Sequence, residues 1–158
     1  MKKIMILNGS PRAKGNTAAL IDSFTKGAES AGHEVVRFDS QKMNIHGCLG
    51  CCGGGKDFDS PCVQKDDMLK IYPAYRECNI VVLASPMYYW SVTGQLKCAF
   101  DRLFAVAECN EDYANPEKDC IMLMAAEGES DDNFAPVVNY YESLLKHMKW
   151  NNLGMIKA

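Results

Sequence analysis

The chain has 158 residues, 47% of them hydrophobic and 23% charged, with a formal net charge of −3. That length and composition suit a single domain over residues 1–158 with a proper core, the acidic balance argues against nucleic acid as the main partner, and no apolar run approaches the roughly 20 residues of a membrane span. With no secretory signal before the first strand the expected compartment is the cytoplasm, where eight cysteines point to free thiols, metal or redox chemistry rather than disulfides.

Ile4 to Leu7 is a short unbroken apolar run, the pattern of a strand buried on both faces of a parallel sheet. It stops in the turn formers Asn8-Gly9-Ser10-Pro11, and a polar loop, Arg12 to Gly15, follows. Asn16 and Thr17 are placed to cap a helix from about Ala18 to Ala31, closed by Gly32. Strand, loop and helix start aim backbone N–H groups and a positive dipole end at whatever sits over the strand's carboxyl end. Ser10, Thr17, Asn16 and Arg12 add donors to that set, which suits a phosphate monoester best. The spacing is neither G-x-G-x-x-G nor Walker A.

Glu34 to Phe38 reads as the second strand. From Asp39 to Lys65 periodicity is lost; this segment carries Cys48, Cys51, Cys52 and Cys62, with four glycines between Gly50 and Gly55. A loop this long in a compact domain is usually functional or disordered. A helix then opens at Asp66-Asp67, with Pro73 expected to kink or restart it. Ile80 to Ala84 is a third strand, ending in Ser85-Pro86-Met87-Tyr88-Tyr89-Trp90. Thr93 caps the next helix, whose buried face is read as Leu96, Phe100, Leu103 and Phe104. Cys120 to Ala125, a helix over about Phe134 to Met148, and Leu153 to Ala158 complete the series.

Alternating strands and helices predict an α/β fold with a doubly wound five-stranded parallel sheet, helices on both faces, and right-handed crossovers. In the flavodoxin-like order 2-1-3-4-5 a ligand sits at the carboxyl ends of strands one and three. The two unusual loops, Gly9–Thr17 and Ser85–Val92, follow those strands. A doubly wound domain would normally carry one more helix after strand five, so the expectation is that a partner or a further C-terminal helix covers one sheet face.

Three aromatics at the mouth of a sheet suit either a wall for a flat ring or an interface. Cys78, Cys98, Cys109 and Cys120 read as small core residues, and the three histidines as solvated or structural. No paired carboxylates and no nucleophile–His–acid arrangement is visible, so no catalytic residue is assigned.

The run Gly9, Ser10, Pro11, Arg12, Gly15, Asn16, Thr17 resembles the phosphate loop G-S-P-R-x-x-G-N-T of flavodoxin-like NAD(P)H-dependent FMN reductases. Ser85 to Lys97, with Asp101-Arg102-Leu103 beyond it, is similar to the isoalloxazine-binding loop and following helix of the same family. The resemblance implies FMN as cofactor, NAD(P)H as electron donor, and flavin, quinone or a similar small molecule as acceptor. It also implies flavin contacts from Ser85, Pro86, Met87, Tyr88, Tyr89 and Trp90, and a third flavin loop over Ala126, Glu127, Gly128 and Glu129. It further implies flavin sites lined by both subunits; with the aromatics at the sheet mouth and the loop Gly47 to Gly55 following a strand's carboxyl end, this predicts a homodimer or tetramer with the cysteine loop near the neighbour's flavin. Cys48, Cys51, Cys52 and Cys62 are similar to the C-x₂-C-x₂-C-x₄₋₇-C loop that holds a 4Fe–4S cluster in the iron–sulfur flavoprotein branch. Gly54 stands where the third cysteine belongs. Three readings follow: a degenerate or absent cluster, a cluster with Cys52 as substitute ligand, or zinc or a redox dithiol drawing on His46. Two other functions stay open beside the reductase. One is a one-electron flavoprotein carrier without nicotinamide activity, the other a metal- or redox-sensing module.

Overall fold

Five apolar segments lie side by side in one parallel sheet, ordered β2-β1-β3-β4-β5 in the computed structural model, which describes residues 1–128 and 130–158. The strands are β1 (Lys3–Asn8), β2 (Glu34–Asp39), β3 (Ile80–Pro86), β4 (Asp119–Ala125) and β5 (Asn151–Lys157). The connecting helices are α1 (Asn16–Ser30), α2 (Met68–Glu77), α3 (Gly94–Arg102), α4 (Phe104–Ala107) and α5 (Asp131–Met148). The expected order and parallel pairing are those observed. β1 sits at the centre of the switch, with Met5 opposite both Val36 and Val81.

Alternate residues of each strand serve opposite faces. Met5, Leu7, Val81, Leu83, Met122 and Met124 pack against α2, α3 and α5 in the larger core. Ile4, Ile6, Val82, Ala84 and Leu123 face α1 through Ile21 and Ala28. On β5, Leu153 and Ile156 are exposed; Ile156 pairs with Leu123. Among the described residues no helix is long and apolar enough to cross a membrane.

Several local expectations are corrected. α1 begins at Asn16, not Ala18: Gly15 is the extended N-cap and no side chain caps it, so Asn16 and Thr17 lie in the first turn. Gly32 does close α1, with φ of +80°; His33 N–H reaches the Ala28 carbonyl and Gly32 N–H that of Glu29, as in a Schellman motif. α2 continues through Pro73 instead of restarting there. The helix after Thr93 breaks at Leu103, and the break turns Phe104 out to stack on Tyr113 at 6.3 Å between ring centroids. In its place the buried face takes Arg102. α5 starts earlier than expected because Ser130 accepts the Asn133 N–H, and Asp131 and Asp132 favour the positive end of the helix dipole.

Candidate functional site

The carboxyl ends of β1 and β3 are neighbours, with Asn8 opposite Ala84. The loop leaving β1 is held there by a chain of internal hydrogen bonds. Asp39, at the end of β2, accepts from the Asn8 side-chain amide at 2.9 Å, and the Asn8 oxygen accepts the Ser10 N–H at 3.0 Å. Arg37 and Lys42 bond the same carboxylate. Burial pushes the Asp39 carboxyl up, but the bonds from Asn8, Lys42 and Arg37 outweigh it and hold the group at about 2. Ser10 Oγ in turn accepts the Arg12 N–H at 3.3 Å.

Gly9 is required by space. A Cβ there would lie 2.5 Å from both Leu96 Cβ and Thr93 Oγ1, so only glycine lets this loop rest on the start of α3. Gly9 N–H donates to the Ala84 carbonyl at 2.8 Å, and Thr93 Oγ1 donates to the Gly9 carbonyl. Thr93 N–H then bonds Ser85 Oγ at 3.0 Å. The two loops are thereby built as one object.

Between them lies a cavity of about 610 Å³. Ser10, Arg12, Lys14, Gly15, Asn16 and Thr17 form one wall, and Pro86, Met87, Tyr88, Ala126 and Glu127 the other. The first wall combines two cations with the uncapped start of α1, whose first N–H groups have no intrahelical partner. A second cavity, about 410 Å³, shares Met87, Ala126 and Glu127 with the first and adds Tyr89, Trp90, Gly128 and Asn133. Donors for an anion therefore stand at one end and apolar and aromatic surface at the other. That is the donor set and shape of a phosphate ester carrying a flat ring, so the residues present fit FMN. A larger cavity, about 820 Å³ around Phe58, Arg76 and Pro116, precedes β4 at the opposite end of the sheet and has no such helix start.

Ser85 is the exception among the expected contacts. It is fully buried, and its hydroxyl is committed to Thr93 N–H and the Pro86 carbonyl. It positions the loop and does not line the cavity. Tyr89 and Trp90 occupy the centre of a two-residue hairpin closed by Tyr88 and Ser91. Both have left-handed backbones, with φ of 48° and 58°. Glu129, expected in the third loop, lies outside the described residues. The sequence reading missed Lys14, whose signal was a second cation two residues after Arg12, and Asn133, which donates to the Gly128 carbonyl and shapes the third loop.

The cysteines lie elsewhere. Gly47 approaches Cys98, while Gly54 and Gly55 lie on Glu108. The loop thus follows α3 and α4 away from the strand ends instead of lying along the cavity edge. Cys48, Cys51 and Cys52 are exposed, Cys62 is half-buried, and all are free thiols. Among the described residues no three Cys, His, Asp or Glu side chains gather around a common point for a metal ion.

Comparison with known proteins agrees with this geometry. An iron-sulfur flavoprotein of Archaeoglobus fulgidus is 40% identical over 103 residues, covering 65% of this chain and 46% of that protein. One from Methanosarcina thermophila is 33% identical over 100 residues, covering 63% and 51%. The chain spans about half the length of the curated relatives it matches. In fold it is similar to the NAD(P)H:quinone oxidoreductase of Methanothermobacter marburgensis, with a TM-score of 0.75 at 18% identity over 99% of this chain and 82% of that one. An FMN-dependent NADH-azoreductase of Bacillus anthracis, in complex with FMN, gives 0.71 at 10% identity over 98% and 86%. The sequence model of the NADPH-dependent FMN reductases matches residues 2–151, and with the sheet order and the loop after β1 in agreement, the chain belongs to that family.

Proposed function

We propose that this chain binds FMN and passes electrons from NAD(P)H to a small-molecule acceptor such as a flavin or quinone, in the cytoplasm. The observation that carries the reading is the uncapped N-terminus of α1 opening, beside Arg12 and Lys14, into a cavity whose far wall is Met87 and Tyr88. The phosphate is assigned to Ser10, Arg12, Lys14, Gly15, Asn16 and Thr17. The ring is assigned to Pro86, Met87, Tyr88, Tyr89 and Trp90, with Ala126, Glu127 and Gly128 at its edge. When bound, FMN supplies the electron-transfer chemistry; the chain orients it and shields it from water. Pro11 and the Asp39–Asn8–Ser10 relay hold the phosphate loop in shape before the ligand arrives, so little ordering cost falls on binding.

We further propose a homodimer, or a dimer of dimers, that covers the exposed rings of Tyr88, Tyr89 and Trp90. The deciding experiment is titration of the purified chain with FMN, followed by anaerobic mixing with NADPH. The melting temperature is expected to rise with FMN concentration, as it must for a ligand that binds only the folded state. NADPH is then expected to bleach the bound flavin. Indifference of the melt to FMN refutes the cofactor assignment. A flavin that binds but is not reduced by either nicotinamide leaves an electron carrier instead of a reductase.

A further inference from the structure

The cysteine segment between β2 and α2 is folded by its own contacts. Gly55 N–H donates to the Pro61 carbonyl at 2.8 Å. Arg76 lies over the Phe58 ring and pairs with Asp59. Both ends of the segment are held by Arg102, whose side chain is 1% exposed. Its Nη1 donates to the His46 carbonyl at 2.9 Å and to Asp66 at 2.8 Å. Its Nη2 donates to the Gln64 carbonyl at 3.4 Å and to Asp66 at 3.1 Å. A loop tied in this way has its shape without a metal.

Gly54 occupies the position of the third thiolate in the cluster pattern of the iron–sulfur branch. A Cβ there would stand 2.3 Å from Glu108 Oε2 and 2.7 Å from the Pro61 carbonyl oxygen. Of these two neighbours the Glu108 carboxylate is the free end of a flexible side chain, whereas the Pro61 carbonyl is backbone and moves only if the loop itself shifts, so the place of a third cysteine side chain is closed by the loop's own backbone. At Gly55, with φ of +76°, a Cβ would stand 2.1 Å from the Glu108 carbonyl oxygen. The glycine pair is what allows the loop to lie flat on the end of α4. Cys62 packs inward against the larger core, beside the Tyr72 hydroxyl, while Cys48, Cys51 and Cys52 are exposed. A cubane needs four thiolates turned to one centre, and this packing denies it both the third ligand and the room beside Gly54.

We propose that the cysteine loop is closed at Gly54 by its own packing, with the Pro61 carbonyl and Glu108 set against the place of the missing thiolate, so that this chain works without a four-iron cluster. The closure is a property of the loop and α4 and does not depend on whether FMN binds.

The test is anaerobic reconstitution of the full chain with ferrous iron and sulfide, followed by iron and sulfide counts and electron paramagnetic resonance of the reduced sample. The wild-type chain is expected to retain fewer than about one iron per chain. Gly54→Cys alone is expected to gain nothing, because the Pro61 carbonyl still stands against the new Cβ. Gly54→Cys combined with Glu108→Ala removes only the carboxylate, and the Pro61 contact remains. That double variant is therefore expected to stay below about one iron per chain as well. About four iron in the wild-type chain overturns the proposal. So does either variant taking up about four iron per chain with the resonance of a reduced cubane. Should the double variant fail to fold, the wild-type count decides.

Discussion

Thr93 Oγ1 donates to the carbonyl of Gly9 at 2.8 Å, across 84 positions of sequence. The same oxygen accepts the Leu96 N–H as the cap of α3. One hydroxyl thus joins the loop after β1 to the loop after β3, the two walls of the candidate site. Thr93→Val keeps the shape and removes both bonds, leaving a buried carbonyl and a buried N–H without partners. The expected loss is about 2 kcal/mol of stability, read from urea denaturation without ligand. FMN affinity is expected to fall with it, whereas Thr93→Ser keeps most of both.

The anion end of the cavity is tested by two ligands that differ only in the phosphate. Arg12→Ala and Thr17→Ala are each expected to weaken FMN by about tenfold, the scale of one charge-assisted hydrogen bond, and to leave riboflavin almost unchanged. Fluorescence quenching titrations measure both. Equal losses for the two ligands would place the phosphate elsewhere.

The Asp39 relay predicts an acid limit to the shape of the phosphate loop. Its carboxyl is held at about 2, below the ordinary 3.8, so its contribution is complete above the ordinary value and is lost as pH falls through about 2. Asp39→Asn is therefore expected to cost no more than about 2 kcal/mol at neutral pH. The gap between variant and wild type should close as the medium is taken from about pH 5 towards pH 2. Denaturation midpoints across that range give the answer; a gap that widens towards acid contradicts the assignment.

The Tyr89-Trp90 turn sets stability against binding. Left-handed backbones cost an ordinary side chain roughly 1 kcal/mol each, and Asn-Gly is the pair that such a turn favours. Tyr89→Asn with Trp90→Gly is expected to raise the melting temperature of the ligand-free chain and to lower its affinity for FMN. A variant that gains stability and binds FMN as before would remove these rings from the flavin site.

The same rings bear on assembly. Tyr89 is 96% exposed in the isolated chain. Trp90→Glu is expected to reduce both self-association and flavin retention, followed by sedimentation with FMN present. A wild-type chain that sediments as a monomer at high micromolar concentration with FMN fully bound would refute the dimer and leave the rings as a wall within one chain.

The strands, and the two loops that wall the candidate site, were legible in the sequence because each rests on patterns a few residues long, while the order of the sheet followed from the fold that their alternation implies. Ile4 to Leu7 and Ile80 to Ala84 read as strands buried on both faces, and Gly9 to Thr17 carries its own turn formers and donors. The local signals failed where a distant group had to be known. Nothing near Ser85 shows that its hydroxyl is spent on Thr93. Nothing around Phe104 shows that the helix breaks one residue earlier and turns it to Tyr113. Arg102, at the end of a helix, has the composition of a solvated residue. It is buried because Asp66, 36 positions away, meets it together with two loop carbonyls. Gly54 announces a missing ligand in the sequence, but only the packing sets the Pro61 carbonyl and Glu108 against the gap. Short-range patterns determine which segments become strands and helices, since those follow from each residue's nearest neighbours along the chain. Which buried donor meets which acceptor, and which empty place a side chain fills, is decided when the chain closes on itself and residues far apart in sequence compete for the same space.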